Sequence, residues 1–261
     1  MFYLSKIRKN IPLARYTTFK IGGPAKYFFV AKTTNDLVKV VRLAQAKKLP
    51  YFVLGQGSNL LVNDKGFSGL VIKIQNTRYE IQGTRITAEA GAPLSKLVNF
   101  SIEKGLTGLE WAVGIPGTIG GAVKVKTSAF GQDISELVKK VKTFDGIILA
   151  VELVLKKGDK KKSRQLIKGY LKKRKDSQPL DSFSAGCVFK NPVNQFAGQL
   201  IEKCGLKGKK IGQAAISEKH ANFIINLGQA QAKDVLKLIR LIKKSVREKF
   251  NLNLEEEIVI I

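Results

Sequence analysis

The apolar residues of the chain follow helical and strand spacings in turn. Leu37, Val40 and Leu43–Ala44 recur every three to four positions. Together with cap candidates in Thr33–Asn35, they predict a helix over residues 34–48. The same pattern predicts further helices over residues 94–104, 133–142, 160–175, 196–203 and 232–250. Short apolar or alternating runs between turn residues predict strands over residues 51–54, 70–74, 79–82, 85–90, 147–155, 223–226 and 257–261.

The order of these elements indicates the fold class. Helices and strands are mixed without the regular alternation of a doubly wound sheet, so the sequence predicts an α+β protein. At residues 158–162 a strand ends and the charge density rises, and the glycine-rich segments all precede that point. We therefore predict two domains, residues 1–158 and residues 159–261.

The chain is strongly basic. Its 261 residues include 46 Lys and Arg against 20 Asp and Glu, a formal net charge of +26. The lysines are spread along the whole chain, and their clusters lack the interleaved aromatic residues typical of single-strand binders. We interpret the clusters as solvated faces rather than as a nucleic-acid surface. The charge would still attract an anionic small substrate.

Rare residue types exclude several kinds of site. His220 is the one histidine, and the two cysteines, Cys187 and Cys204, form no CxxC pair. This argues against a metal centre and against a Ser-His-Asp triad. The chain has neither a run of about 20 apolar residues nor a secretory signal. We expect a cytoplasmic protein, a monomer, without a nucleic-acid or membrane partner.

The strand predicted at residues 51–54 leads directly into the loop Gly55–Asn59, which reads GQGSN. Its glycines permit positive φ angles and let a ligand approach the backbone closely. Successive N–H groups in such a turn form a cradle for anions. By itself, the loop is equally typical of a tight turn.

A second glycine-rich loop favours the ligand-binding interpretation. Gly114–Gly121 holds four glycines in eight residues, and glycine is costly in regular structure. The GxGxxG fingerprint of a Rossmann domain is absent. We infer that the two loops bind the diphosphate of a nucleotide cofactor.

Six segments of the chain, in order, carry a resemblance to one family. They read YTTFKIGGPA (16–25), LGQGSNLLVNDKGFSGLVI (54–72), GLEWAVGIPGTIGGAV (108–123), SAGCVFKNP (184–192), GLKGKKIGQAAISEKHANFIIN (205–226) and LEEEIVII (254–261). The chain resembles the UDP-N-acetylenolpyruvoylglucosamine reductases of peptidoglycan synthesis almost from end to end. The absence of a longer insertion in the second domain resembles the type II form of this family.

The resemblance implies a fold and two cofactors. It implies an FAD-binding domain of the vanillyl-alcohol-oxidase type, followed by a smaller α+β substrate-binding domain. NADPH would reduce the FAD, and the reduced flavin would reduce the enolpyruvyl ether of UDP-N-acetylglucosamine enolpyruvate. The implied FAD contacts are Gly55, Gln56, Gly57, Ser58, Asn59, Leu60, Gly114, Pro116, Gly117, Thr118, Gly120, Gly121 and Ala122.

The resemblance also implies two catalytic residues. Cys187 stands where the family has its proton donor, and a thiol with a pKa of about 8.5 is protonated at neutral pH. Glu257 matches the glutamate that assists the enolate step, although the adjacent Glu255–Glu256 makes the register arguable. We prefer Glu257 because Leu254 and Ile258 then fall on the family's apolar positions.

Four further residues are assigned by the same comparison. Asn191 matches a substrate-contacting position, and Lys190 is a candidate for binding the UDP phosphates. His220 is interpreted as structural or as lining the substrate cleft, not as a base. Cys204 is expected to belong to the core.

The chain departs from the family at two places. After the second loop, the family's Met-Asn-Ala-Gly-Ala run is replaced by Val125–Ala129. The family's Tyr-Arg-x-Ser motif, whose arginine stabilises the enolate, is missing between Phe144 and Ile147. Lys124 and Lys126 are candidates to replace that cation, and losing it would cost about 10²–10³ in rate.

Three functions therefore remain open from the sequence. The chain is a working reductase, a flavin-binding protein of the same fold with lost or altered catalysis, or a basic nucleic-acid-binding protein. The first is favoured by the motifs, the second by the missing arginine, and the third by charge alone.

Overall fold

The computed structural model describes residues 4–261, so the first three residues of the predicted domain 1–158 lie outside the described part. The α-helices are α1 Thr34–Ala46, α2 Leu94–Glu103, α3 Ile119–Lys124, α4 Lys160–Ser177, α5 Ala197–Lys203 and α6 Ala232–Phe250. The strands are β1 Arg8–Pro12, β2 Pro24–Ala31, β3 Tyr51–Leu54, β4 Leu60–Leu61, β5 Phe67–Ile74, β6 Tyr79–Gln82, β7 Arg85–Glu89, β8 Leu106–Thr107, β9 Ser128–Ala129, β10 Gln132–Asp133, β11 Val138–Phe144, β12 Ile147–Val154, β13 Lys156–Lys157, β14 Phe183–Cys187, β15 Lys210–Ile211, β16 Ala214–Ile216, β17 Phe223–Asn226 and β18 Val259–Ile260.

The chain divides into two compact units that are not continuous in sequence. Unit 1 comprises the residues up to Arg8, Phe28–Gln56 and Gly69–Arg174. Unit 2 comprises Lys9–Tyr27, Gly57–Ser68 and Lys175–Ile261. This partition differs from the division predicted at residue 158, because two early segments belong to unit 2 and most of α4 belongs to unit 1.

Unit 1 contains an antiparallel sheet in the order β11-β12-β7-β6 and a parallel pair, β3 and β5. Its largest fully buried side chain is Trp111, at 1% exposure. Helix α1 begins with a capping box, in which Thr33 and Asp36 each accept a hydrogen bond from the other's backbone N–H. The cap residues at positions 33–35 were therefore correctly predicted.

A buried carboxylate attaches α4 to unit 1. Glu110 accepts hydrogen bonds from the Thr107 hydroxyl at 2.6 Å, the Gly108 N–H at 2.7 Å and the Ser163 hydroxyl at 2.5 Å. Burial alone would raise the pKa of Glu110, but these hydrogen bonds outweigh it and lower the pKa. Because the carboxylate is fully satisfied, α4 is fixed to this unit, which the charge density of its sequence did not indicate.

The helix predicted over residues 133–142 is wrong. That segment forms a short 3-10 turn, Ile134–Glu136, followed by β11, which pairs with β12 in an antiparallel hairpin. Asp145 and Gly146 close the hairpin with φ angles of 51° and 71°, the geometry that two-residue hairpin turns require. A tight turn therefore connects β11 and β12 at the place where the family's arginine-containing motif is missing.

Unit 2 contains an antiparallel sheet in the order β14-β17-β16-β15, with α5 and α6 contributing to its apolar core. The early segment Gly57–Ser68 is attached to this core. Its Leu61 is buried there, β4 pairs in parallel with β18, and Asp64 accepts hydrogen bonds from the N–H groups of Ala232 and Lys233 at the start of α6. The residues that follow the first glycine loop thus pack with the C-terminal part of the chain.

Most of the remaining elements agree with the sequence pattern. The helix at 232–250 and the strands at 51–54, 79–82 and 223–226 have the predicted bounds. The closing strand is shorter than predicted, at Val259–Ile260. No helix within residues 4–261 is long and apolar enough to cross a membrane.

The first departure from the family produces local backbone strain. Lys126 has a φ angle of 51°, in the left-handed region that asparagine and glycine tolerate better than lysine. We predict that Lys126→Asn stabilises the protein by about 0.5–1 kcal/mol, because asparagine relieves part of this strain. Thermal unfolding should show a midpoint raised by about 2–4 °C for each kcal/mol gained.

The matched control for this substitution is Lys124→Asn. Lys124 is the last residue of α3 and is not among the residues with positive φ, so asparagine there only lowers helix propensity. An equal rise in midpoint for both variants would show that charge, not backbone strain, is responsible.

Candidate active site

The first glycine loop lies where the chain passes from one compact unit to the other, since Gln56 belongs to unit 1 and Gly57 to unit 2. On the unit 1 side, the partly buried Lys73 donates a hydrogen bond to the Gly55 carbonyl. Desolvation lowers the pKa of Lys73. The end of β3 is thereby fixed by its parallel neighbour β5.

The second glycine loop ends in α3, and its glycines are required by close packing. A Cβ on Gly120 would lie 2.7 Å from the Cβ of Ala90. The Thr118 hydroxyl caps α3 by accepting from the Gly121 N–H at 3.2 Å. A Cβ on Gly55 would lie 3.0 Å from that hydroxyl, so the two predicted loops meet within unit 1.

The two loops also present unused backbone donors. Among residues 4–261, the N–H groups of Gly57, Asn59, Gly117 and Thr118 donate to no other described residue. Such N–H groups are suited to bind a phosphate or another anion. In unit 1, the N–H groups of Gly117 and Thr118 suit the predicted diphosphate, so the second glycine loop serves both packing and donation.

Cys187 is presented at an irregular point of an edge strand. It pairs with Phe223, and the register of β14 against β17 shifts between Ser184 and Cys187. Gly186, with a φ of 79°, occupies the shift, which explains why a glycine precedes the cysteine. The cysteine is partly exposed, so a ligand can reach it.

Buried amide and hydroxyl groups hold this segment in place. The side chain of Asn222 accepts from the Phe189 N–H at 2.9 Å and donates to the Phe189 carbonyl at 2.8 Å. Thr18 donates to the Ser184 carbonyl at 2.7 Å. These two residues were missed as functional supports. Both lie in segments that resemble the family, and this resemblance is the sequence signal that could have identified them.

The closing motif lies beside the Cys187 segment. The Glu257 N–H donates to the Val188 carbonyl at 2.8 Å, and the Lys190 N–H donates to the Glu255 carbonyl at 2.9 Å. The backbone of Glu257 is thus hydrogen-bonded, within unit 2, to the residue that follows Cys187.

Ion pairs distinguish the three consecutive glutamates. Glu255 pairs with Lys190 at 3.2 Å, and Glu256 pairs with Lys243 at 2.9 Å. Glu257 forms no ion pair within residues 4–261. Its carboxyl group is therefore the one of the three available for a ligand.

The carboxyl group of Glu257 has a raised pKa. Although the residue as a whole is exposed, surrounding protein partly desolvates its carboxyl group and raises the pKa, and the charge of Lys190 opposes this effect. A raised pKa keeps a proton on the group at higher pH, as a proton-bearing group beside an enolate requires.

The other predicted residues lie in the same unit. Asn191 accepts from the Ala197 N–H at 3.0 Å, and its side-chain NH₂ group has no partner among the described residues. His220 accepts from the Asn222 N–H at 3.2 Å, and burial lowers its pKa. Cys204 packs against the unit 2 core. These contacts agree with a substrate-facing Asn191 and a structural His220.

Comparison with known proteins supports two domains in this order. Residues 25–162 match a family model described as FAD binding domain. Residues 178–261 match the model of the UDP-N-acetylenolpyruvoylglucosamine reductase C-terminal domain. The matches confirm the predicted α+β arrangement of a flavin domain followed by a substrate domain. The boundary at residue 158 stays a prediction.

Full-length relatives agree with this assignment. The chain is 40% identical to UDP-N-acetylenolpyruvoylglucosamine reductase of Caldanaerobacter subterraneus subsp. tengcongensis, over 98% of this chain and 94% of the relative. It is 44% identical to the reductase of Caldicellulosiruptor bescii, over 97% and 90%. The first alignment spans 283 positions, at least 22 more than the 261 residues of this chain. The relatives therefore carry residues that this chain lacks.

A crystal structure leads to the same conclusion. The UDP-N-acetylenolpyruvylglucosamine reductase (MurB) from Thermus caldophilus is 36% identical, with a TM-score of 0.83 over 97% of this chain and 99% of that chain. The family predicted from the sequence motifs is thus confirmed. With the FAD-binding domain, the reductase C-terminal domain and full-length relatives in agreement, this chain belongs to the UDP-N-acetylenolpyruvoylglucosamine reductase family.

Proposed function

We propose that this chain reduces UDP-N-acetylglucosamine enolpyruvate to UDP-N-acetylmuramate, with FAD as its cofactor and NADPH as the reductant. Given that the chain belongs to a reductase family, one observation of its structure carries the proposal. The backbone of Glu257 donates at 2.8 Å to the carbonyl of Val188, the residue that follows Cys187. A proton donor and a carboxyl group with a raised pKa are thereby held in one unit.

When bound, FAD supplies the hydride, taken from NADPH, that the outer vinyl carbon of the substrate accepts. The FAD contacts proposed from the sequence are supported by the unused N–H groups of Gly57, Asn59, Gly117 and Thr118. In unit 1, the groups of Gly117 and Thr118 would bind its diphosphate. Side chains of unit 2 would carry out the remaining steps.

Cys187 is proposed to deliver a proton to the inner carbon, next to the substrate carboxylate. Hydride addition leaves an electron pair there as an enolate, and protonation of that carbon completes the reduction. The thiol of Cys187 is partly exposed, so it can reach the substrate and act as a general acid. Glu257, whose pKa is raised by partial desolvation, would donate a hydrogen bond in its protonated form to the developing enolate oxygen.

Substrate binding is assigned to Lys190 and Asn191. The free side-chain NH₂ group of Asn191 can donate to the substrate, and the exposed amino group of Lys190 can meet the phosphates. Lys190 is also the cation whose charge acts on Glu257, so it can supply part of the positive charge that the missing arginine would provide. Lys124 and Lys126 remain the candidates from unit 1.

Three finer assignments are proposed on the same basis. The short second domain, matched by the reductase model over residues 178–261, supports the type II form. A nucleotide-sugar substrate and NADPH support action in the cytoplasm. We also propose that the chain acts as a monomer, since both predicted catalytic residues come from one unit of one chain.

A second candidate function is a flavin-binding protein of the same fold with lost or altered catalysis. The tight turn at Asp145–Gly146 favours it, because that turn replaces the family's arginine segment.

A single experiment separates the two candidates. We expect the purified protein to be yellow and, beyond the one equivalent that reduces its flavin, to consume NADPH only when UDP-N-acetylglucosamine enolpyruvate is present. Bound FAD without substrate-dependent consumption would establish the second candidate.

Substitution of Cys187 separates the two half-reactions. We predict that Cys187→Ala abolishes substrate reduction and leaves flavin reduction by NADPH intact, because only the first requires the proton. Cys187→Ser should keep substantial activity, since a hydroxyl can also donate. Stopped-flow absorbance of the flavin measures both half-reactions. Equal loss in both half-reactions would contradict the assignment of Cys187 as proton donor.

The raised pKa of Glu257 predicts a pH dependence. If the protonated form assists the enolate, substrate reduction is fastest below this pKa and falls as the pH rises through it. Because the pKa is raised, this fall should lie above the ordinary carboxyl range. The rate of substrate-driven flavin reoxidation against pH measures it.

Glu257→Gln should remove that fall from the pH profile, since glutamine does not titrate. Glu256→Gln is the matched control, because Glu256 is ion-paired with Lys243, which is not among the proposed site residues. A fall that persists in Glu257→Gln would assign the titration to another group.

A further inference from the structure

The side chain of Asn59 links the first glycine loop to the closing motif. Its side-chain nitrogen donates to the Glu257 carbonyl at 3.0 Å. Its own carbonyl accepts from the Val259 N–H, also at 3.0 Å. Next to it, Leu60 pairs in parallel with Val259. Asn59 therefore makes hydrogen bonds to the backbone of both Glu257 and Val259.

We propose that Asn59 is a positioning residue for the acid step, holding Glu257 in the place where its carboxyl group meets the substrate. The inference deepens the proposed function and rests on the role assigned there to Glu257. It gives Asn59 a role beyond the cofactor contact proposed for it from the sequence.

The backbone of Glu257 is fixed from two sides. The Glu257 N–H donates to the Val188 carbonyl at 2.8 Å, and the Glu257 carbonyl accepts from Asn59. The first bond ties Glu257 to the Cys187 segment, and the second ties it to the glycine loop. All of these residues belong to unit 2. Without the Asn59 bond, the peptide that follows Glu257 is held only by the longer hydrogen bond from the Ile258 N–H to the Val188 carbonyl, at 3.5 Å.

The charges around Glu257 explain why its orientation matters. Lys190 and Glu255 lie on one side of the motif as an ion pair, and Lys243 holds Glu256. Glu257 has no such partner within residues 4–261. No ion pair therefore holds its side chain, and the position of the carboxyl group depends on the backbone that carries it. A rotated backbone would move the carboxyl group into water, away from the partly desolvated position that raises its pKa.

Asn63 provides a matched control. It is an asparagine of the same segment, but within the described residues its side chain accepts from the Lys65 N–H alone, at 3.2 Å. It is exposed and is not among the predicted site residues. Asn63→Ala removes the same atoms four residues away and leaves the Glu257 carbonyl bonded.

The test compares Asn59→Ala, Asn63→Ala, Glu257→Gln and the double variant Asn59→Ala with Glu257→Gln, all saturated with FAD. The FAD dissociation constant of each variant is measured first. We expect Asn59→Ala to slow substrate-driven flavin reoxidation about tenfold, the loss of one well-placed hydrogen bond. Flavin reduction by NADPH should change less than about twofold. In the Glu257→Gln background, Asn59→Ala should have no further effect on reoxidation.

A second readout is independent of activity. Carbon-13 NMR of the glutamate carboxyl groups, assigned with the Glu257→Gln spectrum, gives the pKa of Glu257 directly. We expect this pKa to fall toward the ordinary carboxyl value in Asn59→Ala and to stay unchanged in Asn63→Ala. If Asn59→Ala does not fold, Asn59→Asp keeps the shape of the side chain and removes the donor, and the same slowing is expected.

The possible results separate the inference from the proposed function. If Glu257→Gln leaves reoxidation unchanged, the assigned role of Glu257 is wrong and the inference falls with it. If Glu257→Gln slows reoxidation but the effect of Asn59→Ala is undiminished in the double variant, the inference alone is overturned. An unchanged Glu257 pKa in Asn59→Ala would also overturn it.

Discussion

The doubly hydrogen-bonded backbone of Glu257 is the constraint on which the candidate active site depends. One bond reaches the segment of Cys187 and the other reaches the first glycine loop. The glutamates on its N-terminal side are neutralised by lysines, so the motif presents a single available carboxyl group. Because Thr18 and Asn222 fix the Cys187 segment in turn, the site is built from backbone contacts distributed over unit 2.

Glycine serves two physical purposes in the flavin loops. Gly55 and Gly120 are needed because a Cβ would meet Thr118 or Ala90, and the N–H groups of Gly57 and Gly117 remain available for an anion. The sequence indicated the second purpose and not the first. The glycines of both loops are present, although Val125–Ala129, after the second loop, departs from the family.

Short-range patterns predicted most of the fold, and long-range contacts explain what they could not. The predicted helix at 133–142 failed because its lysines lie on a strand of a hairpin whose partner, β12, supplies the apolar face. The noncontiguous units follow from contacts such as Asp64 with the start of α6, which no local spacing encodes. Cys187, Glu257 and Asn191 were identified by motif resemblance, while Asn222 and Thr18 became visible as supports only through hydrogen bonds.

The most direct test of the account is a single turnover without oxygen. The protein, loaded with FAD and reduced by one equivalent of NADPH, is mixed with UDP-N-acetylglucosamine enolpyruvate while the flavin absorbance is followed. The account predicts that the oxidised flavin spectrum returns and that one equivalent of UDP-N-acetylmuramate forms, even though the arginine segment is absent. A flavin that stays reduced after substrate is added would contradict it.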